Sequence, residues 1–203
     1  MTAPLRVLLD VNVWVANLMA AGKGRKGTAA QRIIWMVASG RWGNSRREAQ
    51  LVVSLDMLET LDRVLKRLGA SSDNAEAYVD AVRGIMRHGP EELDPYLLVG
   101  GREQFAMPDA EDAGVLATAF ASRTDLLVTD NLRDFSTKES TRIDTRVLKS
   151  TAGARQLHAL RYRRADVDLI VAHPLDVVSW LEQGVDFEPG ALWNRISAGS
   201  GTR

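Results

Sequence analysis

The sequence contains no cysteine, which excludes disulfides, zinc ribbons and thiol catalysis. No apolar run approaches the length that spans a bilayer. The first apolar segment begins at Leu5, so no room is left before it for a signal peptide, and a cytoplasmic location is expected. Net charge is missing too: 26 Lys and Arg balance 26 Asp and Glu. That argues against a general polyanion binder while leaving local patches open. Three histidines occur, His88, His158 and His173; they share no metal-ligand spacing and are read as structural. There is no internal repeat and no low-complexity segment. What remains is ordinary globular composition over 203 residues, enough for one well-packed domain with an extension, or two small domains.

Within that frame, short apolar runs at Val7–Leu9, Leu51–Val53, Leu126–Val128 and Val167–Val171 read as buried strands of a mainly parallel sheet. Leu93–Val99 reads as a further strand or strand-like loop, placed at an edge by Pro95. Helical periodicity fills the intervals. Ser54 is a good N-cap for a helix through Leu55, Leu58, Leu61 and Leu68, and a helix rich in small residues comes after Pro108. Pro174 opens the last helix. Strands alternating with helices predict an α/β fold.

Two basic stretches interrupt this pattern. Gly22 to Thr28 has the glycine separation of a phosphate loop, yet Thr28 stands where the lysine is required and no strand leads in. Its Lys23, Arg25 and Lys26 are candidates for an RNA phosphate backbone; otherwise the loop is a solvated connection whose Thr28 caps the next helix. Trp42, Arg46 and Arg47 form a second candidate surface, since arginine and an aromatic ring suit an RNA phosphate and base. Trp42 has an equally simple alternative as a hydrophobic plug. Residues 136–166 are a basic segment, with eight cations against three acids leaving it at +5. It reads as an RNA-gripping arm or an oligomer contact.

The acids carry the chemistry. Asp10 and Asp130 fall just past strand ends, the edge of an open α/β sheet where ligands bind. Glu59 lies early in the helix after Ser54, and Asp112 lies at the start of a helix that leads into a strand. Taken together, four acids are expected to converge on one edge. Unpaired carboxylates that close repel, so one protonates or a cation sits between them. Oxygen ligands without cysteine point to Mg²⁺ or Mn²⁺, whose natural use here is phosphodiester hydrolysis. A phosphatase of the haloacid-dehalogenase type also begins on a strand-end Asp, but it needs a second acid where this chain has Asn12.

Four blocks then carry a resemblance: Val7-Leu-Leu-Asp10-Val-Asn12; Val52-Val-Ser54 with Leu58-Glu59; Asp109-Ala-Glu-Asp112 with Leu116-Ala117; and Leu127-Val-Thr129-Asp-Asn-Leu-Arg-Asp-Phe135. In order and spacing the chain resembles the PIN-domain ribonucleases over about residues 5–183, nearest the branch grouped with VapC-type toxins of bacterial toxin–antitoxin pairs. The resemblance implies a three-layer α/β/α PIN-like fold in a single domain over 1–183, with the basic segment as an insertion and 184–203 as an extension or tail. It implies Mg²⁺- or Mn²⁺-dependent cleavage of an RNA substrate, a homodimer and an antitoxin partner. By position, Asp10, Glu59 and Asp112 match the family's metal-site acids, while Asn12, Ser54 and Thr129 match its polar support. One departure stands out. The family pattern of Thr, any residue, then an acid or Asn gives Asn131, and Asp130 falls on the variable position, so either fills the fourth place. A non-catalytic RNA- or protein-binding module is the competing expectation.

Overall fold

The computed structural model describes residues 3–43, 47–95, 107, 109–150, 153–164 and 166–184, without the side chains of 144–150 and 153–158. The elements run β1 (Leu5–Leu9), α1 (Val11–Gly22), α2 (Ala29–Ala38), β2 (Ala49–Val52), α3 (Leu55–Arg67), α4 (Ser72–Arg87), α5 (Ala110–Ala121), β3 (Leu126–Val128), β4 (Ser140–Ser150), β5 (Gly153–Arg164), β6 (Val167–Ala172) and α6 (Pro174–Glu182). The six strands form one sheet in the order β2-β1-β3-β6-β5-β4. β2, β1, β3 and β6 are parallel, whereas β5 and β4 join as an antiparallel pair.

The local chemistry explains the elements. β1 and β3 are almost wholly apolar because helices cover both faces of a parallel sheet. The β1→β2 crossover runs one way across the sheet and β2→β3 the other, and α1 of the first packs against α3 and α4 of the second, where Trp14 meets Tyr78 edge-on and Asn17 donates to the Tyr78 hydroxyl (3.1 Å). Thr28 and Gln31 form a reciprocal capping box at α2, and Ser54 caps α3 by accepting from the Met57 amide. In α5, Ala113, Ala117 and Ala119 let the helix lie close to the sheet. The fold is the α/β/α arrangement that the resemblance implies.

One expectation changes. Leu93 to Pro95 do not form a strand, and 96–99 lie outside the described residues. Most of the basic segment is the β4–β5 ribbon, which lies between β3 and β6 in sequence and beyond β6 in the sheet. Of the 184–203 tail, only Gly184 lies within the described residues.

A single polar side chain ties the β2 edge to the end of α4 and the turn beyond it. Gln50 is fully buried. Its Nε2 donates to the carbonyls of Leu51 (2.7 Å) and Met86 (2.9 Å), and its Oε1 accepts from the Glu91 amide (2.9 Å). Gly89 leaves the room for this, since a Cβ there would stand 2.5 Å from Oε1. Gln50→Leu keeps the volume but strands a buried donor and two acceptors. The expected cost is about 2–3 kcal/mol, seen as a lower urea midpoint at unchanged slope; an unchanged midpoint would refute the tie.

Candidate active site

The connections from β1 and β3 leave in opposite directions, so the crevice outside their carboxyl ends is the switch point of the sheet. Asp10 and Thr129 stand there, one residue past each strand. Asp10 is 7% exposed. Its Oδ2 accepts from the Thr129 hydroxyl (2.7 Å) and from Asn12 Nδ2 (2.6 Å). The same Thr129 oxygen accepts from Asn12 Nδ2 (3.0 Å) and from the Asn131 amide (3.0 Å). Asn12 Oδ1 takes the Asp130 amide (3.0 Å), which fixes which way the Asn12 side chain turns. Burial pushes the Asp10 carboxyl above the ordinary range, and the Thr129 and Asn12 bonds offset that only in part.

Asp112 reaches the same crevice from the first turn of α5. Asp109 caps that helix by accepting from the Glu111 amide (2.7 Å), so Asp112 is not needed as a cap. Its carboxyl is pushed up to about 7, first by burial, then by the charges of Asp10, Asp109, Asp134 and Glu111. Together Asp10 and Asp112 line a cleft of about 320 Å³. Ser54, Asp56, Thr60 and Arg67 from the α3 side, and Glu111 from α5, complete its polar lining. Val11, Val15, Met57, Val64 and Val115 give it an apolar wall.

Of the four acids expected to converge, Asp10 and Asp112 line the cleft, whereas Glu59 and Asp130 are turned elsewhere. Glu59 is exposed on the other side of α3, in a hollow with Asp62, Glu76 and Arg83. Successive helical residues diverge by about 100°, and it is the neighbouring Thr60 that faces the cleft. Asp130 turns towards β6, where its carboxylate accepts from His173 Nε2. His173 Nδ1 in turn accepts the Leu175 amide (3.1 Å) and caps α6, the structural role expected of it. Asn131 is exposed and donates its amide to Asp134, which is among the charges acting on Asp112. Asp56, Glu111 and Asp134 are the acids that sequence reasoning missed. Asp134 lies on the strand-end turn already singled out, so its place was the accessible signal.

The proposed RNA contacts also move. α1 carries the chain about 18 Å from Asp10 (12 residues at about 1.5 Å each). Lys23, Arg25 and Lys26 are exposed beyond its far end, and Gly27 of that loop shares a hollow with Leu181 and Glu182 at the end of α6. Trp42 is 1% exposed, so it is the hydrophobic plug and not a base-stacking platform. Arg47 precedes β2, at the opposite edge of the sheet from Asp10, and donates to the Ala3 carbonyl (3.5 Å). Arg46 lies outside the described residues. The cation lining the cleft itself is Arg67.

Four acids line one cleft, Asp10, Asp56, Glu111 and Asp112, but among the described residues no group of three or more acids or histidines is arranged to hold a metal ion. No helix among them is long and apolar enough to cross a membrane.

The family model described as PIN domain matches residues 6–133, which include every residue of the β1–β3 hydrogen-bond cluster, as well as Asp112. No curated protein and no solved structure matches the chain.

The raised Asp112 carboxyl has a thermodynamic sign. Unfolded, it ionises near 3.8; folded, near 7. Folding is therefore favoured most below pH 4, and this contribution is lost between about pH 4 and 7 as the unfolded chain gains from ionising. Thermal unfolding in EDTA should show Asp112→Asn gaining on the parent across that window and holding a constant lead above it. Parallel profiles from pH 4 to 9 would contradict the placement.

Proposed function

The chain belongs to the PIN-domain family, whose members are in general nucleases, and from that premise we propose that it is a divalent-metal-dependent endoribonuclease hydrolysing RNA phosphodiester bonds. The observation that carries the reading is the meeting of Asp10 and Asp112, from elements 100 residues apart, in one cleft at the sheet's switch point. Each has its carboxyl raised there, and a cation relieves what holds them up. The pair fits a single Mg²⁺ or Mn²⁺, because Mg²⁺ commonly takes one or two carboxylates and fills its shell with water and substrate phosphate. When bound, such an ion supplies an activated water and offsets charge on the phosphate.

The chain's own residues do the rest. Thr129 and Asn12 hold Asp10 in one orientation, so no reorganisation is needed as charge develops. Asp112, near 7, would give up its proton to water at neutral pH where a cation took that proton's place. Arg67, at the opposite end of the α3 stripe from Asp56, offers a phosphate contact within the cleft. The resemblance to VapC-type toxins extends the reading to a cytoplasmic toxin, dimeric and held by an antitoxin.

A second reading is favoured by a specific observation. Uncharged Thr60 lines the cleft where Glu59 was expected, and uncharged Asn131 is bound to Asp134. A PIN-like module that binds RNA and cleaves weakly or not at all would tolerate both.

Incubation with a mixed RNA pool and Mn²⁺ separates the two. Cleavage is expected, abolished by EDTA and lowered by about 100-fold or more in Asp10→Asn or Asp112→Asn. Mn²⁺ should also raise the unfolding temperature of the parent and not of Asp112→Asn. Tight RNA binding without products under Mg²⁺ or Mn²⁺ would decide for the binding module.

A further inference from the structure

We propose that the β4–β5 ribbon is an arm that grips single-stranded RNA beside the Asp10–Asp112 edge. This rests on the RNA reading of that edge, but on separate observations. β6 is parallel to β3 and β1, so Ala172, Val128 and Leu9 end at one sheet edge. β5 pairs with β6 only through Leu160↔Val171 to Arg164↔Val167. Beyond that, Gly153 to His158 of β5 and their β4 partners Thr145 to Ser150 continue past the carboxyl end of β6, paired with each other alone. Six residues at about 3.4 Å carry the ribbon about 20 Å beyond the edge. It leaves three strand positions from β1, about 14 Å to the side of Asp10.

Charge is segregated in the same sense. The projecting stretch 145–158 carries Arg146, Lys149 and Arg155 and no carboxylate. The whole 136–166 segment is +5 in a chain of zero net charge, so the remainder is −5. Register sets Arg146 opposite Leu157 and Leu148 opposite Arg155, so each arginine is paired with a leucine along the ribbon. Arginines interleaved with apolar residues are a surface for phosphates and unstacked bases. A two-stranded ribbon standing clear of its sheet is marginal in water by itself, so a partner that covers it contributes to its order. A second copy of the chain is disfavoured as that partner, because apposed copies of one cationic strip repel and charged edges block strand pairing.

The test uses the full chain in EDTA, which prevents metal-dependent cleavage, and the fluorescence anisotropy of a labelled 20-nucleotide single-stranded RNA. Replacing Arg146, Lys149 and Arg155 together by serine should weaken binding about tenfold or more near 0.1 M salt. The slope of log affinity against log salt should flatten by about 2, the share of three phosphate contacts at about 0.7 each. Arg146→Lys with Arg155→Lys, which keeps both charges, should keep the slope. With Mn²⁺, the serine variant should lose kcat/KM on the 20-mer but not on a tetranucleotide too short to reach the arm.

Unchanged affinity and slope in the serine variant would overturn the proposal. So would an equal loss in the lysine variant, or a change from dimer to monomer in sedimentation at constant RNA affinity. If no form cuts any RNA while the ribbon-dependent binding persists, the nuclease reading falls and this inference stands.

Discussion

The buried carboxylate of Asp10 is what the site is built upon. An isolated buried charge is costly, and here the compensation comes from the hydroxyl of Thr129 across the sheet and from the amide of Asn12 two residues on. That small network also fastens β1 to β3 where the strand order reverses, so register and site geometry are one constraint. Slipping β3 by one residue would withdraw Thr129 from Asp10 and turn its apolar side chains to the opposite face.

Around this point the electrostatics divide the molecule. Asp112 enters a field already made negative by Asp10, Asp109, Asp134 and Glu111 and responds by holding its proton more tightly. Arg63 neutralises Glu111 at 2.9 Å, but both are largely solvated and the pair contributes little to stability. Basic side chains are gathered elsewhere in sequence, above all in the segment that leaves and rejoins the sheet. A neutral total charge conceals an acidic cleft and a cationic ribbon.

Much of this was legible beforehand. Uninterrupted apolar runs at Val7–Leu9 and Leu126–Val128 announce strands covered on both sides, and the residues just past them announce the edge that matters. Helix phase was harder. Glu59 matches a pattern of residue types, but Leu58, Leu61 and Leu65 turn inward and leave Thr60, not Glu59, towards the cleft. Trp42 shows the same limit: its residue type suits a base, and only its packing shows that it fills the core. The ribbon escaped because arginine, threonine and small residues interrupt any clean alternation, so neither strand announces itself. Asp130 was placed at the right edge, but the direction of its side chain is set by His173, 43 residues away.

The insertion of the ribbon between β3 and β6 sets the order in which the edge becomes complete during synthesis. β1, β2 and β3 emerge from the ribosome first, and their pairing is sufficient to seat Asp10 against Thr129. The outer side of β3, including the Thr129 amide that bonds to the Ala172 carbonyl, waits until β6 has been made. Until then a fully apolar strand presents an unpaired flank, the form in which sheets recruit neighbouring chains. The nascent protein therefore has its acids in place before it has closed its sheet, and its vulnerable interval is the time spent translating the arm.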